Sequence, residues 1–142
     1  MEQQKKKVLL IDDNEITRLM FSNIFWLHGL DDDCLLTATG HIEEALSLIQ
    51  NPTTRPDIIF TGLVMPFAKN GKTETSAEAG LSIIKYIKET PETQSIRVIV
   101  LSAAKDEDSR TQALSLGAET YLEKGEIMPQ DLVKIIHGTN SK

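Results

Sequence analysis

Short apolar runs alternate with helical patterns along the whole chain. Residues Lys7–Ile11 predict a first strand, and its unbroken apolar core is typical of a strand that is buried on both faces of a parallel sheet. Four later runs predict further strands: Leu35–Ala38, Ile58–Thr61, Arg97–Leu101 and Thr120–Leu122. We therefore expect a sheet of five strands, most of it buried.

Helical spacing fills the segments between these strands. Asn14 can cap the first helix and Gly29 can end it. Its predicted buried stripe comprises Ile16, Leu19, Met20, Asn23, Ile24 and Leu27, and we expect Trp26 to pack as well. Four further helices are predicted, around Ile42–Ile49 and Leu81–Ile87, from about Asp106 to Leu116, and from Pro129 to about His137.

Strands that alternate with helices indicate right-handed crossovers and a three-layer, doubly wound α/β fold. In such folds the functional crevice lies beyond the carboxyl ends of the strands. Five residues fall at or just past a predicted strand end and are therefore candidates for lining this crevice: Asp12, Asp13, Gly62, Ser102 and Lys124.

Composition narrows the class of protein. The 142 residues, 40% of them apolar, suit one soluble domain, which we place at residues 7–138 between tails at 1–6 and 139–142. A net charge of −6 with dispersed acidic residues argues against direct nucleic-acid binding. No apolar run approaches the roughly 20 residues that span a bilayer, and no signal peptide is evident. The single cysteine, Cys34, suits a reducing compartment, so we expect a cytoplasmic protein.

Four segments in order carry a family resemblance: VLLIDDN, PDIIFTGLVMP, VIVLSAA and GAETYLEK. Each lies at a predicted strand end, and together they resemble the receiver domains of two-component response regulators from Lys7 to about His137. The resemblance implies a flavodoxin-like, five-stranded parallel sheet in the order 2-1-3-4-5 with five helices.

The resemblance also implies a chemistry. In the family an aspartate at the tip of the third strand takes a phosphoryl group from a histidine kinase or phosphotransfer protein. Mg²⁺ neutralises the developing charge, and its ligands here would be Asp12, Asp13 and the main-chain carbonyl of Val64.

The remaining roles fall on three residues near the last two strands. Lys124 and Ser102 would bind phosphate oxygens, and Tyr121 would be the aromatic residue that turns inward when Ser102 moves. The implied output is docking of a downstream protein on the face made by the fourth helix, fifth strand and fifth helix. The implied module is a monomer or weak dimer without enzymatic activity of its own.

The acceptor position in this alignment holds Gly62, which has no carboxylate to phosphorylate. Thr61 cannot replace it, because neighbouring strand side chains point to opposite faces. Two carboxylates, Asp12 and Asp13, then face one ammonium, Lys124, for a formal charge of −1. We predict weak Mg²⁺ binding and a direct ion pair between Lys124 and an aspartate. The chain is either a natural pseudo-receiver or a variant that has lost its acceptor.

Two other departures from the family pattern stand out. Gly125 follows Lys124 where proline is usual, so we expect a trans peptide bond there. The segment at residues 67–79 is longer than in the family and contains the turn signal Asn70-Gly71. It is either a lid or partner-specific loop, or a tolerated surface insertion.

Other functions on a similar fold remain open from the sequence. An aspartate-based phosphatase needs a second acid two positions after its nucleophile, and only Asp13, with Glu15, offers that spacing. A flavin site is disfavoured because the loop DDNEIT is too acidic to hold a phosphate. A phosphate-independent binding module is a further alternative, and Asp13 could also accept phosphate in place of position 62.

Overall fold

The computed structural model describes residues 5–103 and 107–138. The strands are β1 Lys6–Ile11, β2 Cys34–Thr39, β3 Ile58–Gly62, β4 Met65–Lys69, β5 Lys72–Ser76, β6 Arg97–Ser102 and β7 Thr120–Glu123. The α-helices are α1 Glu15–Leu27, α2 Ile42–Gln50, α3 Glu78–Glu89, α4 Glu107–Leu116 and α5 Pro129–His137. Two short 3₁₀ turns cover Leu30–Asp32 and Lys124–Glu126.

The main sheet has five parallel strands in the order β2-β1-β3-β6-β7. This is the predicted order 2-1-3-4-5, since β4 and β5 form a separate two-stranded sheet. Within the register Ile11 lies beside Thr61, Gly62 beside Leu101 and Ser102 beside Glu123. The carboxyl ends of β1, β3, β6 and β7 therefore reach the same edge of the sheet.

Apolar side chains fill the sheet on both faces, as the unbroken apolar runs predict. Leu9 and Ile11 point into a core with α2 and α3, whereas Val8 and Leu10 point into a second core with α1 and α5. In the second core the rings of Phe21 and Phe60 meet edge to face with centroids 5.3 Å apart. The three-layer architecture is confirmed.

The predicted buried face of α1 is wrong in most of its members. Ile16, Leu19 and Leu27 are exposed, and Trp26 is 73% exposed rather than packed. The helix instead buries Thr17, Phe21, Ile24 and Phe25. Two apolar stripes overlap on this helix, and the one with two phenylalanines faces the sheet because large rings bury the most apolar area.

The predicted loop at residues 67–79 is largely a β-hairpin, so its description as a loop is wrong. Asn70 and Gly71 form its two-residue turn with φ angles of 53° and 77°, as a type I′ turn requires. The base of the hairpin is anchored because Met65 is fully buried and Phe67 packs partly against the core of α2 and α3. The inserted segment is thus a structured arm beside the sheet edge.

Several boundaries differ slightly from the sequence prediction. The first strand begins at Lys6, the second extends to Thr39, and the third includes Gly62. The predicted helix start at Asp106 and the tail residues 1–4 and 139–142 lie outside the described residues. Within the described ranges every peptide bond is trans, which agrees with the expectation for Gly125, and no helix is long and apolar enough to cross a bilayer.

One glycine sets how closely α3 approaches the sheet edge. The Gly80 N–H donates to the Leu63 carbonyl at 2.9 Å. A Cβ at residue 80 would lie 2.3 Å from the Gly62 carbonyl oxygen and 2.6 Å from Leu63 Cα. These atoms are backbone and cannot move aside locally, so only glycine permits this docking.

We expect Gly80→Ala to lower the free energy of unfolding by about 2 to 3 kcal/mol, because overpacking against backbone forces the helix away from β3. Gly125→Ala is the control, since no heavy atom lies within 4 Å of a Cβ built there, and its effect should stay within about 0.5 kcal/mol. Urea unfolding measures both. Equal stability of the two variants would contradict this close approach.

Candidate functional site at the carboxyl edge of the sheet

Asp12 is the fully buried acid of the site, directly after β1. Its backbone N–H donates to the Thr39 carbonyl at 2.9 Å, and its Oδ1 accepts the Asn14 N–H at 2.9 Å. The Arg18 Nη1 donates to the Asp12 carbonyl at 2.7 Å. These bonds fix the turn between β1 and α1, which positions the carboxylate over the sheet edge.

Asn14 begins α1 as the sequence predicts. Its Oδ1 accepts hydrogen bonds from the backbone N–H groups of Ile16 at 2.8 Å and Thr17 at 3.3 Å. A side-chain oxygen in this position satisfies amide groups that have no partner within the helix. The cap therefore holds the acidic turn and the first helix together.

Lys124 pairs directly with Asp12, as predicted. Its Nζ lies 2.8 Å from Asp12 Oδ2, and the lysine side chain is 34% exposed whereas the aspartate is not exposed at all. The ammonium approaches Oδ2 outside hydrogen-bond geometry, so among the described residues this oxygen has no regular hydrogen-bond donor. Asp12 and Lys124 therefore form a direct ion pair through this buried carboxylate oxygen.

Gly62 faces this ion pair. A Cβ built on Gly62 would lie 3.2 Å from Asp12 Oδ2 and 3.6 Å from Asp12 Cγ. Its neighbour Thr61 is fully buried and donates its hydroxyl to the Gly62 carbonyl at 2.8 Å. A side chain at position 62 would therefore meet the Asp12 carboxylate.

Asp13 differs from Asp12 in its exposure. It is exposed, and it lines an open cavity of about 340 Å³ between the first turn of α1, the loop before α2 and the hairpin. Val64, whose carbonyl the resemblance implies as a ligand, has a side chain that is about half exposed. Over residues 5–103 and 107–138 no cluster of three or more His, Cys, Asp or Glu side chains is arranged to hold a metal ion.

Ser102 is buried at the end of β6 and is bound by a residue that the sequence reasoning missed. The Arg110 Nε donates to Ser102 Oγ at 2.8 Å, and its Nη2 donates to the Ala103 carbonyl at 2.9 Å. The same Nη2 lies 3.4 Å from Glu123 Oε1, and the guanidinium carbon lies 4.5 Å from the centre of the Tyr121 ring.

The sequence carried one usable signal for Arg110. Arg110 and Ala113 are the buried residues of α4, so they share the helix face that points towards the sheet. An arginine on an inward face needs a polar partner there, because burying an unpaired charge is costly. Tyr121, predicted as the aromatic of the site, is 39% exposed with the guanidinium against its ring.

Comparison with known proteins identifies the family. The chain matches the response regulator receiver domain family over residues 8–137. It is 31% identical over 140 residues to a gliding motility regulatory protein of Myxococcus xanthus, a match that covers 94% of this chain and 15% of that protein. The chain therefore spans a small part of that relative's length.

Solved structures give the same picture of the fold. A response regulator receiver domain protein from Clostridium thermocellum superposes with a TM-score of 0.70 at 26% identity, covering 94% of this chain and 92% of that one. The Mn²⁺-bound form of response regulator Rcp1 superposes with a TM-score of 0.67 at 23% identity, covering 94% and 90%. With its family match over nearly the whole chain, this protein belongs to the response regulator receiver domain family.

Proposed function

We propose that this chain is a receiver-type signalling module that acts by docking other proteins and that lacks the phosphoryl acceptor. The observation that carries the proposal is the position of Gly62. It lies on the strand end that faces Asp12, where a side chain would contact the carboxylate that pairs with Lys124. A carboxylate at that place would complete a phosphoryl-transfer pocket, and glycine provides none.

The charges of the site support the same proposal. Phosphoryl transfer depends mainly on positioning and on neutralising the charge of the transferred group. Here the Lys124 ammonium already lies against Asp12, so the buried acid is balanced without an added cation. Asp12 is thereby paired in a form of the site that has no phosphorylated state at residue 62.

The fit of a divalent cation to these residues is partial. Asp12 Oδ2 is a buried oxygen without a regular donor, which suits a hard cation such as Mg²⁺. The exposed Asp13 and the Val64 carbonyl are the other candidate ligands, and a third carboxylate is absent from position 62. When bound, the ion would supply positive charge beside Asp12, in competition with Lys124, so we propose weak binding.

The proposed docking face is formed by α4, β7 and α5. It presents Tyr121 and Leu114, which are 39% and 42% exposed. Partly exposed aromatic groups such as Tyr121 are enriched at protein interfaces. We propose a histidine kinase or phosphotransfer protein and a downstream protein as partners, a cytoplasmic location, and a monomer or weak dimer.

If Lys124 is the counter-ion of Asp12, Lys124→Met should lower the free energy of unfolding by about 2 kcal/mol. This is below the roughly 3–5 kcal/mol for breaking a fully buried pair, because Lys124 is one-third exposed. The double variant Asp12→Asn, Lys124→Met should lose less than the sum of the two single variants. Chemical denaturation measures this coupling.

Lys134→Met serves as the matched control, since Lys134 is exposed on α5. It should change stability by no more than about 0.5 kcal/mol. Strict additivity of the Asp12 and Lys124 substitutions would show that the ion pair does not stabilise the fold.

Restoring the acceptor tests the proposed function. We expect Gly62→Asp to gain one phosphoryl group from a small acyl phosphate in the presence of Mg²⁺, whereas the native chain gains none. Mass spectrometry of the intact protein measures the gain. Mg²⁺ should also raise the melting temperature of Gly62→Asp, because the new carboxylate crowds Asp12 until a cation separates their charges.

Gly62→Asn is the matched control, with similar volume and no carboxylate, and it should neither accept phosphate nor respond to Mg²⁺. Failure of folded Gly62→Asp to accept phosphate would contradict the proposal that position 62 is the missing acceptor. A phosphoryl gain by the native chain that Asp13→Asn abolishes would show instead that Asp13 is the acceptor.

A further inference from the structure

Arg110 is the one buried cation in the described part of α4, and its contacts with described residues join the ends of β6 and β7. The side chain is only 10% exposed. It donates to Ser102 Oγ and to the Ala103 carbonyl, at the end of β6. It also meets Glu123 and the ring of Tyr121, both on β7.

The guanidinium contacts both Ser102 and Tyr121. Ser102 is 2% exposed and accepts the Arg110 Nε–H at 2.8 Å, at the end of β6. The Tyr121 ring lies 4.5 Å from the guanidinium carbon and is partly in solvent. An inward turn of the ring would therefore have to give up or rearrange its contact with the guanidinium.

We propose that Arg110 is a positioning residue that clamps Ser102 and holds the Tyr121 ring at the surface. The significance of this clamp rests on the proposed function, in which α4, β7 and α5 form the docking face. If that function holds, Arg110 keeps the docking face in one conformation, and no phosphoryl group at residue 62 is needed.

The shape of arginine suits this role. Its planar guanidinium carries donors in a fixed fork, so it can bond a hydroxyl and a carbonyl together while its face lies on an aromatic ring. A lysine ammonium is a point charge on a flexible stem and cannot fix both bonds and the ring contact. The Glu123 carboxylate supplies the opposite charge on the outer side.

The position of Tyr121 can be read directly by ¹⁹F NMR of the full chain labelled with 3-fluorotyrosine. The chain has two tyrosines, and Tyr86→Phe assigns the two lines. A soluble gadolinium chelate then measures how far each ring is exposed, through the broadening of its line.

We expect strong broadening of the Tyr121 line in the native chain and a loss of that broadening in Arg110→Met, which keeps the stem but lacks the fork. The Tyr86 line should stay unchanged in both. Arg110→Lys should resemble Arg110→Met, since charge alone does not restore the two hydrogen bonds. Ser102→Ala gives a second test, because it removes only the hydroxyl that accepts the Arg110 hydrogen bond. It should partly reduce the broadening of the Tyr121 line.

Broadening of the Tyr121 line that stays at the native level in Arg110→Met and in Ser102→Ala, with both variants cooperatively folded, would overturn the clamp. Native-level broadening of the Tyr121 line in Arg110→Lys would also overturn the clamp, because positive charge alone would then hold the ring. The measurement uses no phosphate and no partner, so it is independent of the Gly62→Asp experiment. Either proposal can therefore fail while the other stands.

Discussion

The ion pair between Asp12 and Lys124 is the interaction on which the whole sheet edge depends. A fully buried carboxylate is stable only with a partner, and Lys124 supplies it from the far end of the sheet at 2.8 Å. The pair ties the end of β1 to the end of β7 across two intervening strands. Gly62 places no side chain beside the pair, and a Cβ built there would lie 3.2 Å from Asp12 Oδ2.

A second cation organises the other half of the same edge. Arg110 reaches from α4 to Ser102 and to the Tyr121 ring, so the hydroxyl and the aromatic residue are linked through a guanidinium. Each half of the site therefore has an internal positive charge in contact with its polar group. Both of these cations belong to the chain itself.

The sequence predicts the sheet well and some of its surroundings poorly. The convergence of Asp12, Gly62 and Lys124 follows from apolar runs that end together at one edge of a parallel sheet, whereas the strand order is implied by the family resemblance. The face of α1 does not follow, because two apolar stripes compete and only packing decides between them. The hairpin was missed because β5 is polar and mostly exposed, so it lacks the alternation of a half-buried strand. Arg110 was missed because its partners come from two different strands.

A calorimetric titration of the native chain with Mg²⁺ tests the central claim most directly. Heat is a better readout of binding than the fluorescence of Trp26. This exposed residue lies about 18 Å from Asn14 along α1, at 1.5 Å per residue, and is therefore far from the site. If Lys124 is the counter-ion of Asp12 and position 62 contributes no ligand, the titration should show only weak binding, in the millimolar range or beyond. Micromolar affinity would contradict the account.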